Sequence, residues 1–271
     1  MSDFILENDG ITVGDVTVRL ARNDDEVLQA QKLRYHIFYE EFHAKASGAV
    51  EREKRDFDEF DDYADHLVVI DNSIIDKDKA IVGTYRMMGE DGAKGAGRFY
   101  TSDEFDISKL LNNYDGLLEM GRSCVLPEYR TKAILQLLWQ GIAEYVTYNK
   151  VKFLFGCASF HGTNPKDHAE AISYLYYNHL APENFRPIGI KNPEVNMDMV
   201  PGDDIDVKAV IRSLPPLIKG YIRIGGVIGE GVFIDHDFDT VDVCVVLSTS
   251  MMADNYLKHY ERKTGSEITR D

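Results

Sequence analysis

One stretch limits the folding of this 271-residue chain more than any other: residues 117–146, LLEMGRSCVLPEYRTKAILQLLWQGIAEYV. Leu117–Val125 is a short apolar run and reads as a strand, whereas Ile134, Leu135, Leu138, Ile142 and Val146 recur at helical spacing behind Thr131, a residue suited to capping a helix that runs to about Asn149. A strand that delivers its chain straight into a helix start sets the helix's free N–H groups at the strand's end, where they can hold an anion. That is the arrangement a thioester cofactor needs, and it implies an α/β domain.

The rest of the chain agrees with that class. Residues 16–21 (VTVRLA) alternate as a half-buried strand does, and Asn23 with Glu26 resembles a capping box opening a helix that runs to about Phe42. Residues 46–65 are charged and poor in aliphatics, so they read as a long connection with a short helical turn near 57–61. Residues 66–71 and 80–88 are β-branched runs on either side of a polar turn, a hairpin. Further strands are expected at 153–159 and 241–247, with helices at 167–178 and from Pro215, giving the order β-α-β-β-β-α-β-α-α-β. No repeat or linker divides the chain, so residues 1–271 are expected to form one domain with a central mixed sheet flanked by helices.

Composition removes several functions. A net charge of −16 repels polyanions, so nucleic acid is not an expected partner. No run of roughly 18 apolar residues is present. MSDFILENDG lacks a basic segment followed by an apolar one, so a cytoplasmic location is expected, with the three scattered cysteines reduced.

Particular residues then carry a resemblance. Arg34 and Phe38 in LRYHIFYEEF, Asp58 and Asp61 in DFDEFDDYADH, Arg86 in GTYRMM, and Glu119 with Arg122 in LLEMGRSCV match in order the acyl-homoserine-lactone synthase branch of the GNAT fold. FGCASFHGT (155–163) and residues 214–247 are similar instead to the ornithine N-acyltransferases of ornithine-lipid synthesis, and the likeness covers roughly residues 18–247. It implies a GNAT-like acyltransferase domain with a family-specific elaboration from about 180 to 250. The implied reaction moves a 3-hydroxyacyl group from acyl carrier protein to the α-amine of an amino acid, ornithine first, giving a lyso-aminolipid. Acetyl-CoA-using members of the fold carry a Q/R-x-x-G-x-G/A loop, but here Arg130-Thr131-Lys132-Ala133-Ile134-Leu135 lacks both glycines. That favours a phosphopantetheine arm on a carrier over free CoA, with Arg130, Thr131 and Lys132 beside it and no permanently bound cofactor.

Each candidate has a chemical reason. An α-amine is mostly protonated at neutral pH, so a base must free its lone pair, and Glu119 among Leu118, Met120 and Val125 is the candidate. In a regular strand Glu119 and Arg122 point to opposite faces, and a bulge beside Gly121 would join them and turn backbone N–H groups toward an oxyanion. Arg34, Arg86 and Arg122 offer planar forks for the substrate carboxylate or the carrier phosphate. Asp58 and Asp61 either neutralise a cationic side chain or brace their loop against those arginines. Ser159 and His161 are placed to hydrogen-bond substrate or to protonate the leaving thiolate. Lys219 and Arg223, four apart on a helix opening at Pro215-Pro216, are the candidate dock for an acidic carrier or for transient contact with the inner-membrane surface. No metal is expected, since DEFDDYADH has neither calcium-loop spacing nor H-E-x-x-H.

Three rivals remain. His66 and Asp71 fit the H-x4-D string of lysolipid acyltransferases, but across a strand they stand about 16 Å apart on opposite faces. A lactone synthase would take S-adenosylmethionine, and residues 214–247 argue against it. A GNAT-shaped amino-acid sensor would bind without turnover. Glutamine, lysine or glycine as acceptor is left open.

Overall fold

The computed structural model describes residues 4–46, 48–192 and 195–252, Met251 without its side chain. In chain order the elements are β1 (Ile11–Val13), β2 (Val16–Leu20), α1 (Asp24–Tyr35), α2 (Gly48–Glu53), β3 (Asp65–Asp71), β4 (Ile81–Gly89), α3 (Glu90–Ala96), β5 (Phe105–Asp106), α4 (Ser108–Asn113), β6 (Leu117–Val125) and α5 (Lys132–Tyr148). Then come β7 (Phe153–His161), α6 (Ala169–His179), β8 (Ile188–Gly189), α7 (Val207–Ser213), α8 (Pro216–Arg223), β9 (Val227–Ile228), β10 (Phe233–Asp235) and β11 (Thr240–Ser248). Among the described residues no helix is long and apolar enough to cross a membrane.

The chain clusters into two compact units. Of the described residues, the first takes those from 4 to 97 together with Met120–Val151, and the second takes Arg98–Glu119 and those from 152 to 252, so β6 begins in the second and ends in the first. The expected elaboration at 180–250 lies in the second.

In the first unit β1, β2, β3 and β4 are antiparallel neighbours, with a register shift between Val69 and Ile70. Alternation sends Val68 and Ile70 to the face where Ala30, Leu33 and Ile37 of the α1 region pack, together with Cys124. On the other face α5 comes so close that a Cβ on Gly141 would meet Val18 at 3.1 Å and Leu67 at 3.5 Å. Helices therefore cover both faces of the β2–β3 pair. Asn23 caps α1 through Glu26 N (3.0 Å), but the Glu26 carboxylate reaches Arg22 N and Arg19 instead of closing the box on Asn23. The helix expected to reach Phe42 widens at His36–Glu41 into a π-helical turn, a local change of pitch that frees the i→i−4 ladder.

In the second unit β7 and β11 pair antiparallel from Phe153↔Ser248 to His161↔Thr240, and β10 and β9 lie along β11. The first three residues of β6 run parallel to β7, ending at Glu119↔Phe155. The sheet is thus mixed, as expected.

Candidate active site

Glu119 stands where the parallel pairing of β6 with β7 ends, and is only 5% exposed. Its two carboxylate oxygens accept the backbone N–H groups of Tyr100 (3.1 Å) and Thr101 (2.6 Å), so a single turn holds both. Phe99, just before that turn, packs edge-on against the Phe155 ring at 5.0 Å and fixes its position over the sheet. Both donors serve a carboxylate, the form able to take a proton.

The face that carries Glu119 is polar along its length. Glu119 is paired with Phe155, and alternation then brings Cys157, Ser159 and His161 to the same side, opposite Cys244, Asp242 and Thr240 of β11. Exposure rises along β7 on this face: Phe155 is buried, Cys157 half-buried, Ser159 and His161 exposed, while Leu154, Ala158 and Phe160 are buried on the other. The structure therefore brings Glu119, Ser159 and His161 to one face. Ser159 nevertheless lies four residues along the neighbouring strand, about 13 Å from the level of Glu119, beyond direct contact with its carboxylate. The Cys157 thiol is pushed well up by burial and then by Glu104, so it is not a thiolate at neutral pH and is a poor nucleophile.

At Arg122 the strand breaks its regular geometry. Its φ of +51° is left-handed, which side-chain-bearing residues rarely adopt, so the distortion sits at Arg122 itself rather than at Gly121. A Cβ on Gly121 would meet nothing within 4 Å, which leaves open space beside the backbone two residues from Glu119.

The arginines expected to meet substrate are joined to aspartates. Arg34 is fully buried, with Nη1 and Nη2 on the two oxygens of Asp61 (2.9 and 2.7 Å), Nη2 also on the Asp56 carbonyl (2.5 Å) and Nε 2.7 Å from Asp56 Oδ2. Arg86, 3% exposed, reaches Asp58 (2.5 Å) and Asp61 (3.2 Å) and lies over the Phe60 ring. Arg122 reaches Asp58 (3.1 Å) and Asp56 (3.3 Å). Burial pushes the Asp61 carboxyl up, but Arg34 and then Arg86 more than reverse this and hold it below the carboxylate range. Three guanidiniums match three carboxylates, so the cluster has no surplus negative charge for a cationic side chain. Of the two readings for Asp58 and Asp61, this geometry is that of a brace. Only Arg122 and Asp58, at 13% and 23% side-chain exposure, form its solvent-facing edge. Phe38 packs against the α1 cluster of Leu33 and Ile37.

At the helix start Thr131 caps α5 by accepting from Ile134 N (3.3 Å). Arg130 is forked onto Glu41 (2.6 Å to each oxygen) over the Phe42 ring, and Lys132, two residues on, is exposed. On α8, Lys219 Nζ donates to the Arg212 carbonyl (3.0 Å) at the end of α7, so it caps that helix, and Arg223 is exposed. His66 contacts the Asp61 carbonyl (3.1 Å) whereas Asp71 accepts from Tyr129 and Ser73, so the two ends of β3 serve separate networks.

Sequence reasoning missed Asp56, the Tyr100–Thr101 backbone, and a group of three carboxylates: Glu104, Asp235 and Asp242. Asp242 had a signal, a charge inside the apolar run TVDVCVVL. Glu104 had none, since TSDEFD is acidic throughout.

A family model described as an acetyltransferase (GNAT) domain matches residues 33–140. The chain is 42% identical over 264 residues to an L-ornithine N(alpha)-acyltransferase of Agrobacterium fabrum (strain C58 / ATCC 33970), which covers 96% of this chain and 90% of that protein. It is 41% identical over 256 residues to one of Rhizobium meliloti (strain 1021), covering 93% and 86%. Among solved structures, a CoA-dependent acyl-homoserine lactone synthase aligns over 92% of this chain and 87% of its own, with a TM-score of 0.49 and 13% identity.

Proposed function

This chain belongs to the family of L-ornithine N(alpha)-acyltransferases, and on that premise we propose that it transfers a 3-hydroxyacyl group from acyl carrier protein to the α-amine of L-ornithine, giving a lyso-ornithine lipid. The observation that carries the reading is the Glu119 carboxylate, held by two backbone N–H groups at the deep end of a sheet face that opens to solvent. Glu119 removes a proton from the α-ammonium, directly or through a water, and the freed lone pair attacks the thioester carbon. The tetrahedral intermediate collapses with loss of the phosphopantetheine thiolate, which takes the second proton given up by the attacking nitrogen; the new N–C bond replaces the C–S bond, and the proton held by Glu119 passes to solvent. Direct attack fits the protonated Cys157 better than an acyl-cysteine intermediate does.

The remaining roles follow from exposure. Arg34 and Arg86 brace the loop that carries Asp56 to Asp61, and Arg122, at the open edge of that network, offers its guanidinium to a substrate carboxylate. Lys132 and the α5 N–H groups take the phosphate of the carrier's arm. Arg223 and Lys219 of α8, with the exposed Val207 and Ile211 of α7, to which Lys219 is joined through the Arg212 carbonyl, are the basic and apolar groups that meet an acidic carrier and allow transient contact with the inner membrane from the cytoplasm.

The test is a reconstitution. Purified protein is incubated with 3-hydroxyacyl carrier protein or the matching acyl-CoA and with single amino acids, and the lipid is identified by mass spectrometry. N-acyl ornithine from the carrier thioester is expected. A cyclised product from S-adenosylmethionine, or binding of ornithine without turnover, would overturn the reading.

A further inference from the structure

Glu104, Asp235 and Asp242 each bring a carboxylate oxygen within 4.8 Å of the others. Glu104 is 2% exposed, Asp242 4%, and Asp235 half-buried. Burial and then the charge of Asp242 push the Glu104 carboxyl up to about 8. A second observation concerns hydrogen bonding: Glu104 Oε2 and Thr240 Oγ1 are buried without a partner, and Thr240 stands directly opposite Asp235 in the β10–β11 pairing. Buried polar groups in this condition call for a ligand that hydrogen-bonds them, and a cation among the three carboxyls would keep Glu104 ionised and accepting.

The group shares the catalytic face. Asp242 is opposite Ser159 and Asp235 opposite Thr240, so both rise from the side of the sheet that carries Glu119. Glu104 lies against Cys157 and Tyr100, and Tyr100 belongs to the turn whose N–H groups hold Glu119. Glu119 and Cys157 are one strand and two residues apart, about 8 Å between backbones.

We propose that Glu104, Asp235 and Asp242 form the seat for the side-chain ammonium of the acceptor and so select a diamino acid over a neutral one. The proposal rests on the ornithine reading above and deepens it. A primary ammonium brings three N–H donors and a positive charge, which suits three crowded carboxylates and satisfies Glu104 Oε2. Five bonds separate the two nitrogens of ornithine, an extended span of roughly 6 Å, so one amine at Glu119 places the other along this face. Asp58 and Asp61 cannot do the same work, because the three arginines already neutralise them.

The experiment compares kcat/KM for L-ornithine and L-norvaline, which has the same carbon chain without the terminal amine, using 3-hydroxyacyl carrier protein as donor. Wild type is expected to prefer ornithine at least a hundredfold, and Asp242→Asn, Asp235→Asn and Glu104→Gln each to lose at least tenfold of that ratio. An unchanged ratio in folded variants overturns the seat. So does loss of activity in EDTA with restoration by magnesium or calcium, which would make the carboxylates a metal site. Should Glu104→Gln fail to fold, the half-exposed Asp235→Asn and the thermal shift of wild type with ornithine against norvaline decide the matter: equal shifts contradict the seat. Wild type that acylates neither amino acid sinks the ornithine reading itself, and the seat with it.

Discussion

Arg34 and Asp61 meet fork to fork, Nη1 to Oδ1 at 2.9 Å and Nη2 to Oδ2 at 2.7 Å, with side-chain exposures of 0% and 3%. Removing one partner of such a pair leaves a buried charge uncompensated, so Arg34→Met and Asp61→Asn are each expected to cost about 3–5 kcal/mol in urea denaturation. Asp58→Asn, at the open edge, should cost less. The depressed carboxyl of Asp61 contributes stability that is present above about pH 4 and is lost as pH falls below it, so Asp61→Asn should flatten the acid limb of the stability curve.

Arg122 combines strain with exposure. Glycine adopts a φ of +51° freely and alanine does not, so Arg122→Gly should be more stable than Arg122→Ala by about 1 kcal/mol, the reverse of their usual order. Both should raise the KM for ornithine by about tenfold or more, since both lose the charge-assisted fork. Denaturation and steady-state kinetics on the pair separate the backbone effect from the binding one.

Burial of Glu104 beside Asp242 makes stability depend on pH. With its carboxyl pushed up to about 8 in the folded protein and near 4.3 in the unfolded chain, the folded state holds the extra proton across that window. Stability therefore falls as pH rises from about 4.3 to 8 and levels off above. Thermal melts between pH 5 and 8.5 should show this decline in wild type, a shallower one in Glu104→Gln, and a shallower one in wild type with saturating ornithine, whose ammonium replaces the proton.

Arg223 is the sharper probe of carrier docking, because Lys219 also caps α7. Arg223→Glu should raise the KM for acyl carrier protein about three- to tenfold at low salt without moving the KM for ornithine, and the difference should shrink at high ionic strength. Equal carrier KM values at low salt would remove α8 from the docking surface.

What was legible in the chain follows from whether the signal was local. β6 was found at both ends because its apolar run is short and bounded, and α5 because Thr131 caps a clean helical stripe. α3 was hidden: EDGAKGA carries glycines at 92 and 95 that would normally argue against a helix. They are there because a Cβ at Gly92 would lie 2.2 Å from the Tyr63 carbonyl and one at Gly95 2.7 Å from its ring, a tertiary contact with no trace in the local pattern. Glu119 and Arg122 stood out as charges in an apolar strand, yet that Arg34 is sealed by Asp56 and Asp61 depends on contacts 22 and 27 residues away. Glu104 and Asp242 meet only through the register of β7 with β11, which no window of sequence displays.

In the proposed reaction the Glu119 carboxylate takes the proton from the acceptor amine. The direct measurement is a single-turnover assay of Glu119→Gln with acyl carrier protein and ornithine, alongside binding of each substrate by calorimetry. Glutamine keeps the size and can still accept the Tyr100 or Thr101 N–H through its one carbonyl oxygen. The expected result is binding within a few-fold of wild type and acyl transfer slowed by about 10²–10⁴; transfer at the wild-type rate would contradict it.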